Sequence, residues 1–161
     1  MKGRITKMAL DNNKGGDYGK YIVQELQEPP NMMAPDFRAI YEKFAKRILW
    51  IDGNVCPGAF QMNTAWYNTV PERDPIFAEH SHGYDELIGF YGSNPEDPYN
   101  LNGVIEFSIG GEAHRLTKSS LMFIPSDIVH NPMRILEVNR PIFHFSVVMN
   151  PEYAEAKSVY K

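Results

Sequence analysis

The sequence has little cysteine. Cys56 is the only one in 161 residues. No internal disulfide can form, and a reducing cytoplasm is the compartment expected. Cys56 lies in the turn-like stretch Asn54-Val55-Cys56-Pro57-Gly58 with no base beside it, so a structural role is expected rather than a nucleophilic one. Long apolar runs are missing as well. None approaches a membrane span, and Lys2, Arg4 and Lys7 are not followed by the apolar stretch of a signal peptide. A strong charge of either sign is also lacking. Sixteen Lys and Arg stand against 20 Asp and Glu, a formal net charge of −4. The basic residues do not cluster, so neither nucleic acid nor an anionic membrane is an expected partner. There are no internal repeats and no βαβ alternation. The hydrophobic content of 43% suits a globular chain, and the length suits a single domain with a full core.

The first 20 residues are polar, with Gly15-Gly16 and Gly19, and read as an arm. Tyr21-Ile22-Val23 is expected to form a short edge strand, which Pro29-Pro30 brings to an end. Pro35-Asp36 opens a helix with Asp36 as its N-cap. Phe37, Ile40, Tyr41, Phe44 and Ile48 recur at helical spacing, and Glu42, Lys43, Lys46 and Arg47 take the other face. Strand-like runs follow at 48–51, 60–69, 76–82, 86–91, 104–109, 112–116, 121–124, 133–136 and 142–149. Gly110-Gly111 marks a hairpin. Many short strands with turns between them predict a sandwich or barrel. Residues 93–102 hold two prolines and almost nothing to bury, as in a long surface loop. Residues 151–157 read as one or two helical turns. One structural domain is expected, with an arm and helix over 1–47, a barrel over 48–150 and a tail over 151–161.

Chemistry gathers around the five histidines. His80 and His82 are two residues apart, and on a strand such residues share a face. Two imidazoles side by side suit one metal ion. Taken alone, His-x-His is as readily a surface accident. Gly83-Tyr84-Asp85 reads as a tight turn, and Glu86 begins the returning strand close to His82. Spacing alone leaves Asp85 and Glu86 both open as the carboxylate ligand. A later segment, Phe123-Ile124-Pro125-Ser126-Asp127-Ile128-Val129-His130, brings an apolar strand into a proline turn and then a lone histidine. Imidazole with carboxylate suits Zn, Fe, Mn, Ni or Cu.

This pattern resembles the cupin superfamily. That family's first motif pairs His-x-His with a glutamate and then a glycine, matched here by His80, His82, Glu86 and Gly92. Its second motif, a glycine followed by Pro-x-Gly-x-x-His and an asparagine, is matched by Pro125 and His130. Ser119 and Asp127 replace the two glycines, and Arg134 stands at the asparagine position. Aspartate tolerates left-handed turns, so Asp127 can serve. The resemblance spans about residues 80–134, with 93–102 inserted after Gly92. It implies an all-β fold, a cupin-type double-stranded β-helix (jelly-roll) barrel with an N-terminal helix and a short C-terminal helix. It implies His80, His82, Glu86 and His130 as ligands of one divalent transition metal ion, Fe, Mn, Zn or Ni. The activity implied is on a small oxygen-rich molecule, of dioxygenase, isomerase or decarboxylase type. The alternative is a metal and small-ligand binding or sensing module, and a purely structural barrel comes third. The resemblance also implies a homodimer, with the region before residue 48 suited to strand exchange.

His144, Tyr84 and Asp85 are candidates for a general acid or base. His144 lies in an alternating stretch, Phe143-His144-Phe145-Ser146. If the even face looks inward, His144 and Ser146 line the cavity, but an ordinary core or surface histidine is the expectation. His114 is expected to be ordinary. Phe60, Trp66, Tyr67, Phe90 and Phe123 are expected to fill the barrel.

Overall fold

Strands dominate because β-formers alternate with polar residues over runs of five to ten. A computed structural model describes residues 17–150. Within them, helix α1 (Pro35–Phe44) precedes eight strands: β1 (Ala45–Ile51), β2 (Gln61–Tyr67), β3 (Glu86–Gly92), β4 (Asn100–Ile109), β5 (Glu112–Lys118), β6 (Ser120–Ile124), β7 (His130–Val138) and β8 (Ile142–Val148). All pairings are antiparallel. One sheet runs β1-β2-β8-β3-β6 and the other β5-β4-β7.

Residues 76–82 extend the second sheet beyond β7. They pair with it at Phe77↔Met133 and His80↔His130 only, a looser union than the strand expected there. From β2 onward the chain therefore crosses repeatedly between two facing sheets, β2-β8-β3-β6 and β5-β4-β7 with 76–82 at its edge. This is the jelly roll. The first sheet's inward residues, among them Ala65, Tyr67, Ile88, Phe90 and Ile142, meet Leu101, Ile105, Phe107, Met133 and Ile135 of the second in one core.

Helix α1 closes one end. Phe37 meets Phe77 at 5.8 Å and Phe44 meets Tyr67 at 5.6 Å between ring centres. The buried Arg47 side chain, on β1, pairs with Glu28 at 3.1 Å, and Glu28 also holds Arg38 of α1 at 2.6 Å. The approach to the helix is thereby tied to both elements. At the β4–β5 hairpin, Gly110 and Gly111 have φ of +58° and +83°, a turn that side chains disfavour. At the end of β3, a Cβ on Gly92 would collide with the Asn100 carbonyl.

Several expectations change. Tyr21-Ile22-Val23 forms no strand; Gly19–Tyr21 is a 3-10 turn, and the Ile22 N–H bonds back to Gly19 O at 3.1 Å. The helix N-cap is Ala34, because Pro35 takes the first helical position and leaves Asp36 inside the first turn. β4 begins at Asn100, so the surface loop is 93–99. Phe60 and Phe123 are 51% and 60% exposed, and Trp66 packs outside the barrel edge-on to Phe143. Tyr67 and Phe90 do fill the core, and Cys56 is buried. The arm over 1–16 and the helical turns over 151–157 lie outside the described residues.

Candidate metal centre

The ligand candidates come from three places that the fold brings together. His80 is held against β7 by paired backbone bonds, His80 N–H to His130 O at 3.0 Å and His130 N–H to His80 O at 2.9 Å. The two rings consequently lie 4.3 Å apart. His82 follows on the same face, and Glu86 is the first inward residue of β3, on the facing sheet. The turns are fastened to each other as well. Asp127 has φ of +65°, the left-handed geometry expected of it, and its N–H bonds to His82 O at 2.8 Å. Asp85 accepts the Ser126 N–H at 2.9 Å.

Each imidazole has one nitrogen committed. His80 Nδ1 faces Ala78 O at 3.1 Å, His82 Nδ1 faces Tyr84 O at 2.8 Å, and His130 Nδ1 faces Ile128 O at 2.9 Å. A carbonyl only accepts, so each Nδ1 carries hydrogen and each Nε2 faces the centre, as a bare lone pair in His80 and His130 and, without a metal, protonated against the Glu86 carboxylate in His82. One ring nitrogen from each of the three histidines lies within 4.8 Å of the others. Glu86 Oε2 accepts from His82 Nε2 at 3.1 Å and approaches His130 Nε2 at 3.2 Å. That second approach lacks hydrogen-bond alignment. His80 Nε2 and His130 Nε2 are thus buried atoms with no hydrogen-bond partner. Two orphaned lone pairs and a carboxylate converging on one point fit a cation, and the three histidines could hold a metal ion.

The electrostatics agree with the packing. Burial alone would raise Glu86, but His130 and His82 outweigh it and hold the carboxyl at about 2. His80 is pushed down by burial, with His130 and His82 adding to the effect. In His82 burial acts downward too, yet the hydrogen bond and charge of Glu86 overcome it and raise the imidazole.

A cavity of about 40 Å³ opens beside the cluster, lined on its polar side by His80, Glu86, Asn131, His144 and Ser146. Phe77, Phe90, Phe107 and Met133 supply apolar wall. The register settles the phase of β8. Ile142, Ser146 and Val148 are buried and His144 shares their face, so His144 lines the cavity, against the expectation of an ordinary histidine. Its ring is stacked between Tyr67 and Phe90, and burial lowers its pKa to about 4.

The other candidates stand back from the cavity. Tyr84 stacks on His82 with 4.3 Å between ring centres and accepts from it, and Asp85 is engaged with Ser126. Both brace the turn between His82 and Glu86. Arg134 pairs with Asp74 and Glu106 at the surface, and His114 is exposed. The loop over 93–99 is held by Ser119, whose Oγ donates to Pro98 O at 2.7 Å and accepts from Gly92 N–H at 3.0 Å. It leaves β3 at the end away from Glu86. Sequence reasoning missed Asn63 and Asn131. The available signals were a polar residue at an inward position of β2 and an amide directly after His130.

No family model matches the chain, and no curated protein matches it. Among solved structures it is similar to an RmlC-like cupin from Shewanella frigidimarina, at 14% identity over 69% of this chain and 79% of that one, TM-score 0.41. It is similar to KdgF from Halomonas sp., at 15% identity over 69% and 80%, TM-score 0.40. A third is an oxalate oxidase in complex with the substrate analogue glycolate, at 14% identity over 89% and 66%, TM-score 0.48. These structural neighbours are cupins, and the likeness is one of fold.

Proposed function

We propose that this jelly roll is a metal-dependent cupin that holds one divalent transition metal ion through His80, His82, Glu86 and His130. It acts on a small oxygen-rich molecule bound in the adjoining cavity. The observation that carries the reading is the convergence of ring nitrogens whose opposite edges are all locked to backbone carbonyls. Three neutral imidazoles and one carboxylate suit Fe, Mn, Zn or Ni. When bound, the ion would supply Lewis-acid stabilisation of negative charge developing on a substrate oxygen. The chain's own residues do the rest. Tyr84 and Asp85 fix the turn that presents His82, and the apolar wall excludes water. Asn131 Oδ1, buried and without a hydrogen-bond partner, waits for a donor from the ligand. Dioxygenase, isomerase and decarboxylase chemistries all fit this arrangement.

A non-catalytic binding or sensing module is the second reading. What favours it is His144, which near neutral pH is a weak base enclosed between two rings. Screening metal-loaded protein against small hydroxy, keto and dicarboxylic acids separates the two. Oxygen uptake on an electrode and product formation by proton NMR are the readouts. Turnover that disappears in His130→Ala supports the enzyme, whereas binding without turnover across the panel supports the module. A homodimer and a cytoplasmic setting belong to the same reading, and sedimentation velocity tests the first of them.

A further inference from the structure

We propose that the cavity selects a small carboxylic acid that bears a hydroxyl group, with His144 accepting the ligand's O–H and Ser146 donating to its oxygen. This rests on the metal reading above, which seats the ligand's other end. His144 Nδ1 faces Gly89 O at 3.2 Å. It must therefore carry the ring's hydrogen, which leaves Nε2 as a bare lone pair. The stacks on Tyr67 and Phe90, at 5.1 and 5.0 Å between ring centres, hold the ring in that plane.

Ser146 complements it. Its Oγ accepts from Asn63 Nδ2 at 2.7 Å, so its own O–H is left to point elsewhere. Among the described residues it donates no hydrogen bond. Both Asn63 and Ser146 are buried, which makes an unused donor costly and a ligand oxygen its natural partner. Val148 pairs with Glu86, Ser146 with Ile88 and His144 with Phe90. The donor and then the acceptor thus lie successively deeper along β8 from the metal cluster.

What the wall lacks sets the selectivity. No Lys or Arg lines the cavity among the described residues. A second carboxylate would lose its water there and meet no countercharge. A hydroxyl, able to give and take one hydrogen bond each, meets both groups. Size sets a further limit. A water molecule needs about 10–15 Å³ of such space, so a cavity of about 40 Å³ takes a ligand of few heavy atoms.

The test is calorimetric titration of zinc-loaded protein whose zinc content has been measured. The probes are acetate, glycolate and oxalate, then propanoate, 3-hydroxypropanoate and malonate. In at least one set the hydroxy acid should bind about tenfold tighter than the plain acid, the worth of a well-made hydrogen bond. It should also bind tighter than the dicarboxylate. His144→Phe keeps the ring stack, and Ser146→Ala removes only a hydroxyl. Each should erase most of the preference while leaving zinc content unchanged. This control also separates the effect from simple chelation of zinc by a 2-hydroxy acid. Equal affinities within both sets, a dicarboxylate that binds tightest, or a preference that survives both substitutions would overturn the proposal alone. A wild type that takes up none of iron, manganese, zinc and nickel overturns the metal reading, and the proposal with it.

Discussion

At the scale of single residues, the centre works by removing choices. Each imidazole has its Nδ1 spent on a carbonyl, so the Nε2 lone pairs of His80 and His130 need no reorganisation to meet an ion, while His82 has only to give up the proton it shares with Glu86. As a ligand, Glu86 would supply charge as well as an oxygen. Glu86→Gln keeps the shape and removes the charge, and metal affinity should fall at least about tenfold in a chelator competition. Unchanged affinity would remove Glu86 from the ligand set. The ionisable groups also give a pH signature in the metal-free protein. An unfolded histidine titrates near 6.5 while His144 is held at about 4, with Glu86 and Arg47 the charged groups that reach it. Between these values the unfolded chain takes up a proton that the folded chain refuses, so stability falls as pH drops from 6.5 to about 4. Glu86 adds a contribution that is intact above 4.5 and lost as pH falls to about 2. His82, raised by Glu86, contributes below 6.5 and loses its share as pH rises through its folded value. His144→Phe should therefore lose less melting temperature than wild type between pH 6.5 and 4, and an equal loss contradicts this account. The His80-x-His82 pair was legible in the sequence because a strand's period of two needs no tertiary information. Asn63, Asn131 and the structural part played by Asp85 were not, because their meaning comes from partners on other segments of the chain, Ser146, His80 and Ser126.

At the scale of elements, the turns and the helix decide whether that geometry survives. Asp85 receives the Ser126 N–H and so joins the 83–85 turn to the 125–127 turn. Asp85→Ala leaves that donor unmet and should cost about 1–3 kcal/mol in urea unfolding. Helix α1 acts as the barrel's end plate through Phe44, 1% exposed and packed on Tyr67. Phe44→Ala should cost about 3–5 kcal/mol, and a cost near zero would show that the helix does not carry that end. Most strands were legible from alternation, and the Gly110-Gly111 hairpin from its composition. Burial of a particular aromatic was not. Phe123 lies on β6, an edge strand, and at its position the outward phase exposes it, while Phe90 on neighbouring β3 falls in the inward phase and is buried. Composition cannot assign that phase where both faces of a strand are apolar. Tyr21-Ile22-Val23 failed as a strand because local bonding won there, the Tyr21 and Ile22 N–H groups turning back to Tyr18 O and Gly19 O in a 3-10 turn.

At the scale of the whole molecule, the proposed ligand set spans the sandwich. His130 belongs to β7 in one sheet, His80 and His82 to the segment beside it, and Glu86 to β3 in the other sheet. An ion held by all four would clip the two sheets together and stabilise the folded chain by mass action, about 4 kcal/mol at a thousandfold excess over its dissociation constant. Melting temperature should thus rise with added metal in wild type and not in His130→Ala. The jelly roll follows from pairings between strands far apart in the sequence, such as β2 with β8. Strand count and motif resemblance pointed to that class, while the sheet order and the phase of β8 came only with the coordinates. The most direct measurement is elemental analysis of tag-free protein, wild type beside His82→Ala. About one transition metal ion per chain in wild type, lost in the variant, is the predicted result. Wild type that stays metal-free after incubation with iron, manganese, zinc and nickel in turn would contradict the central claim.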